Sequence, residues 1–235
     1  MTEETYFIHE RLEPWPNAEV EEGYVLSPLL FMHALGCVVT DWNMLEQKYR
    51  YVVAAVSGLP VAAVRALLTH VGADTLTSAL YSTVELRRGS DAPGKDPSRD
   101  EVWLACTTAA RAFDVCRGNR NFLVHKSQPM HRYDNMREKA GLSAYSVSRH
   151  KKSKAIKISN YAVGLDDIRR VADECWNVGH FLWHLEGPLR GRLRGNNSVA
   201  LPKLPEVPQL LTERLKPITD FNPIVSQETT ANDGN

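Results

Sequence analysis

A chain of 235 residues with 43% hydrophobic and 24% charged residues is long enough to bury a substantial core. Its 28 basic and 28 acidic side chains cancel, which excludes a bulk electrostatic pull towards nucleic acid or membrane. The four cysteines, Cys37, Cys106, Cys116 and Cys175, are too few and too scattered for a disulfide scaffold. They form no CxxC pair of the structural-zinc kind and read as buried reduced thiols.

Residues 1–26 read as an acidic, irregular arm carrying Pro14 and Pro16, without the basic-then-apolar form of a signal peptide. Ser27-Pro28 has the order of an N-cap and a first-turn proline. Leu35, Val38, Val39, Trp42, Leu45, Tyr49 and Val52 then recur at threes and fours, which predicts a long amphipathic helix from Leu29 to about Val56, stopped by Gly58 and Pro60. Shorter helices are expected over Val61–Val71 and about Leu76–Arg87. The longest apolar stretch, Tyr51 to Ala73, is interrupted by Pro60, Arg65 and His70, so no membrane span and a cytoplasmic location are expected.

Gly89 to Pro97 is a polar loop, and Ser98 with Glu101 makes the capping pattern that opens the next helix. That helix carries Trp103, Leu104, Ala110, Phe113 and Val115, and Gly118 is expected to interrupt or end it. Pro129 limits any continuation. Residues 142–163 alternate apolar with polar on either side of Arg149-His150-Lys151-Lys152-Ser153-Lys154, which reads as a β-hairpin with a basic tip. Leu165–Leu189 is a further helix, with Asp166 and Asp167 near its positive end and Gly187-Pro188 closing it. Residues 195–235, with Pro202, Pro205, Pro208, Pro217 and Pro223, read as an extended or disordered tail. Leu201, Leu204, Leu210 and Leu211 leave it able to pack along the body. The fold class is therefore mainly α: an up-and-down bundle of about five helices over residues 27–194, with a small hairpin and a proline-rich tail.

One string carries chemistry: Arg120-Asn121-Phe122-Leu123-Val124-His125. An arginine five residues before a histidine is a weak pattern, and Arg65 with His70 repeats it inside a helix, where a structural role is expected. The complete R-N-x-x-x-H string arises by chance in roughly one chain in a hundred of this length. Arginine presents a permanent cation with a forked donor array suited to phosphate oxygens. An imidazole can accept or donate a proton near neutrality. RNA supplies its own nucleophile in the ribose 2′-OH, so these groups suffice without a metal or cofactor, and an amide such as Asn121 orients them.

A helical bundle with this string near the junction of its later helices resembles the HEPN superfamily. The likeness covers residues 28–190 by architecture and six residues by motif. It implies metal-independent RNA endonuclease activity at a site completed by a homodimer, with Arg120, Asn121 and His125 catalytic. It also implies a defence or stress role, with a cognate antitoxin or regulatory protein as partner. Other members of the superfamily are non-catalytic modules that bind RNA or a partner, and a regulator of RNA, nucleotide or protein is the rival reading here. In the toxin branch a tyrosine follows two residues after the histidine; here that position is Ser127, with Tyr133 further on.

Helix geometry adds a condition. Positions 120 and 125 lie about 140° apart around an ideal helix and do not share a face. Either Gly118 breaks the helix and re-aims Arg120, or a second chain completes the site. Lys126, Arg149, Lys151, Lys152, Lys154 and Lys157 are the expected RNA-backbone contacts, with Arg190, Arg192 and Arg194 as a further basic run. His180 and His184, four apart, are read as packing histidines, and Trp42, Trp103 and Trp176 as core.

Overall fold

The computed structural model describes residues 29–89, 101–129, 142–149 and 156–218. The acidic arm, the Ser27-Pro28 cap, Ser98, and hairpin tip residues 150–155 lie outside them. Six helices and three strands are found among the described residues: α1 (Leu29–Ser57), α2 (Val61–Leu68), α3 (Ala73–Gly89), α4 (Glu101–Lys126), β1 (Ser127–Pro129), β2 (Leu142–Arg149), β3 (Ile156–Val163), α5 (Leu165–Leu193) and α6 (Leu211–Arg214). The chain is mainly helical with a small antiparallel sheet, as the periodicities predict.

The core follows the apolar stripe of α1. Val38, Leu45, Tyr49 and Val52 are fully buried, and Phe113 of α4 lies against both Trp42 and Tyr49, with ring centroids 4.9 and 4.0 Å away. Each large side chain so enclosed contributes about 1.5–3 kcal/mol. Helix α4 runs antiparallel to α5, since Asn119 meets Glu174 at one end and Glu101 meets Arg192 at the other. Helix α1 lies parallel to α5: Leu45 faces Gly179, where a Cβ would sit 3.6 Å from the Leu45 Cα, and Lys48 lies over Trp183. Helix α2 is bent 118° from α1. Arg50 clips the turn after α2 by donating to the carbonyls of Leu68 and Val71. Among the described residues no single helix is long and apolar enough to cross a membrane.

Three expectations about helix ends are corrected. Helix α4 does not stop at Gly118 but runs to Lys126. The glycine serves packing instead: a Cβ there would meet the Leu210 side chain at 2.9 Å, closer than real contacts allow. Helix α5 runs through Pro188 to Leu193. Buried Leu185 and Leu189 and the Arg190–Glu186 and Arg192–Glu101 ion pairs hold its last turns despite the lost N–H. Helix α2 ends at Leu68, which leaves exposed His70 in the turn beyond it.

The hairpin forms with eight paired positions, from Leu142↔Val163 to Arg149↔Ile156, and β1 adds to its edge through Ser127↔Ala144. Ala144, Tyr161 and Val163 are buried, with Tyr161 edge-on to Phe122 of α4 at 5.6 Å. Period-two alternation therefore seats the sheet against the end of α4.

Residues 199–218 lie along the body as a strap. Val199 packs at Gly191, Leu201, Leu204 and Leu215 lie against the core, and Leu211 is buried. The strap finishes on the sheet, where Tyr161 bridges Pro217 and the Ile218 N–H donates to the Asn160 carbonyl at 2.7 Å. Packing thus extends to Ile218, beyond the expected boundary at 194.

Candidate functional site

The R-N-x-x-x-H string occupies the last turns of α4, directly before the sheet. Arg120 and Asn121 are partly buried, and His125 is exposed. Arg120 Nη1 lies 2.8 Å from His125 Nε2 and donates at 2.9 Å to Asn121 Oδ1. The angular separation of about 140° is therefore bridged within one unbroken helix. The imidazole leans towards the helix N-terminus, as helical side chains do, and the long arginine spans the remainder. The expected re-aiming at Gly118 does not occur and is not needed.

Guanidinium nitrogen has no acceptor capacity, so in this contact Arg120 donates and His125 Nε2 accepts. One nitrogen thus serves both neighbours, with one proton towards the amide oxygen and one towards the imidazole. Arg120 Nε is buried without an acceptor among the described residues, so this donor array is not fully satisfied. The cluster can bind an oxyanion and move a proton at adjacent positions.

Lys126 is partly buried beside the site. Arg149 and Lys157 stand at the far end of the ladder, five residues along β2 from Ala144, the partner of Ser127. That is about 17 Å of strand. Lys151, Lys152 and Lys154 lie outside the described residues. Ser127 donates to the Leu123 carbonyl and begins β1.

The position just before the string was missed by sequence reasoning. Asn119 is 1% exposed, its Oδ1 accepts the Leu211 N–H at 2.8 Å, and its Nδ2 donates to the Gln209 carbonyl at 3.0 Å. It fastens the strap to the turn that presents Arg120. Beside it Arg214 and Glu174 pair at 2.6 and 3.3 Å. Burial pushes the Glu174 carboxyl above the ordinary carboxylate range against the pull of Arg214. Only the order Gly118-Asn119 marked this point, and its partners lie ninety residues away in sequence.

Other expectations separate cleanly. Cys106, Cys116 and Cys175 are buried, whereas Cys37 is partly exposed. A hydrogen bond to Cys175, with burial, pushes the Cys116 thiol well up. Trp42 is core and Trp103 packs against it, but Trp176 is 51% exposed. His180 and His184 are exposed, not packed. No protein-family model, curated protein or solved structure matches this chain.

Proposed function

We propose that this chain is a metal-independent RNA endonuclease of the HEPN kind, working as a homodimer with the two copies of its motif in one cleft. The single observation that carries the reading is the exposed imidazole of His125, held 2.8 Å from the Arg120 guanidinium. An incoming phosphate competes for that guanidinium. As its oxygens draw the Arg120 donors away, the Nε2 lone pair of His125 is released beside the same phosphate. Binding and base activation are thereby coupled.

In the reaction the ribose 2′-oxygen attacks phosphorus and gives its proton to one His125. The bond from phosphorus to the 5′-oxygen breaks, and that oxygen takes a proton from the second His125, which enters the step as the imidazolium, across the two-fold axis. Arg120 neutralises charge building on the non-bridging oxygens, and Asn121 holds the guanidinium fork. The products are a 2′,3′-cyclic phosphate and a 5′-hydroxyl. Lys126 and the basic tip with Arg149, Lys151, Lys152, Lys154 and Lys157 track the backbone.

The test is incubation of purified protein with RNA in EDTA, beside His125→Ala. Cleavage by the parent protein alone is expected. Equal inertness of both, with a gel shift that persists, would replace the nuclease by a non-catalytic RNA-binding regulator.

A further inference from the structure

The exposed side of α5 carries a second cluster that the RNA chemistry does not use. His180 and His184 stand one turn apart, both open to solvent, with their Nε2 atoms 3.1 Å from each other and their rings at 66°. Trp176 lies a further turn back on the same stripe and is 51% exposed. Trp183 is held by a different neighbour, Lys48, whose Nζ sits 3.6 Å from its ring centroid.

We infer that His180 and His184 form a chelating site for a borderline divalent transition ion of the zinc, nickel and copper class. The geometry of the bite carries the argument. An ion bound to two imidazole nitrogens at about 2.05 Å, with an angle of about 98° between the bonds, spans the observed separation. That angle falls between square-planar and tetrahedral. The two Nε2 atoms already stand within the span of one ion, one helical turn apart on the same helix.

Solvent exposure makes the alternative weak. Two imidazoles on a wet surface gain little from bonding to one another, because each bonds water equally well. A chelated ion gains from having its second ligand already in place. Imidazole donors select this metal class over magnesium or calcium, which prefer oxygen. Among the described residues no third His, Cys, Asp or Glu joins the pair, so the remaining coordination positions go to water.

Trp176 supplies the readout. Untagged protein titrated with Cu²⁺ should show saturable quenching of tryptophan fluorescence, and Zn²⁺, which does not quench, should reverse it by competition. His180→Ala should raise the half-saturation concentration by roughly a hundredfold, since one arm of the chelate is lost. His33→Ala, which alters the Cys37–His33 contact on α1, should leave it unchanged. Quenching by Cu²⁺ at the same concentration in His180→Ala and the parent protein would overturn the assignment. So would failure of Zn²⁺ in large excess to compete, the excess being needed because imidazole sites favour Cu²⁺.

Discussion

Asn119 and Asn121 lie two residues apart on one helix and hold opposite stations. Asn119 is sealed, and all its bonding is spent on the backbone of a strap ninety residues away and on Glu174. Asn121 is partly exposed, and its amide oxygen accepts from the arginine that reaches the exposed imidazole. A residue type alone therefore does not say whether a polar side chain serves folding or chemistry. What decides is whether its partners are backbone groups removed from water or a charged group left accessible to it.

The two stations break apart under substitution. The largest expected effect is on activity: His125→Ala or Arg120→Ala should lower RNA cleavage by about 10²–10⁴-fold. For His125→Ala the thermal midpoint should stay nearly constant, because the imidazole is exposed. Asn119→Ala should do the reverse in kind. It strands the buried Leu211 N–H and removes the donor to the Gln209 carbonyl, at a cost of about 1–3 kcal/mol, read by denaturant unfolding. Asn121→Ala, by contrast, should change stability by less than about 0.5 kcal/mol. Equal losses for the two asparagines would remove the distinction.

Gly118→Val sharpens the same contrast from the packing side. A side chain there strikes Leu210, and a loss of about 1–3 kcal/mol is expected, with faster proteolysis after Val199. A smaller effect is expected from the ion pair beside Asn119. Arg214→Ala leaves Glu174 enclosed without its partner, so the variant should be less stable than the parent at neutral pH. Burial already sets the folded Glu174 carboxyl above its unfolded value, so the folded form binds the extra proton. Stability from this group falls as pH rises through that window. The deficit of Arg214→Ala should accordingly shrink on acidification, in melting curves taken from neutral pH down to the ordinary carboxylate range. The smallest effect is expected at Asp41, whose carboxyl is raised by burial and by Asp173. Asp41→Asn should raise the melting temperature at pH 7 by on the order of 1 °C.

The long helices were legible because α1 and α5 bury one stripe each, and a stripe leaves a period in the sequence. The hairpin was legible for the same reason at period two. The strap was legible only as a capacity: its leucines marked it as able to pack along the body, but Leu201, Leu204 and Leu211 are separated by prolines and bury themselves singly, which leaves no period to fix where. Gly118 and Pro188 misled because local propensity treats both as stops, whereas tertiary contacts override them in α4 and α5. Within the site, the string brought Arg120, Asn121 and His125 to notice, and the three do form one cluster. The reach of Arg120 to His125 was hidden, since helical angles locate Cα atoms and a long guanidinium ignores them. The exposed stations of His180 and Trp176 were equally out of view, because α5 offers apolar residues on more than one face.

In the proposed reaction the substrate brings the nucleophile, while Arg120 and His125 supply the charge and the proton. The most direct test is a pair of RNA oligomers in EDTA, one normal and one with a single 2′-deoxy sugar at the cleaved position. The normal oligomer should be cut to a cyclic phosphate and a 5′-hydroxyl while the deoxy oligomer survives at that bond. Cutting of both, or products bearing a 5′-phosphate, would contradict it.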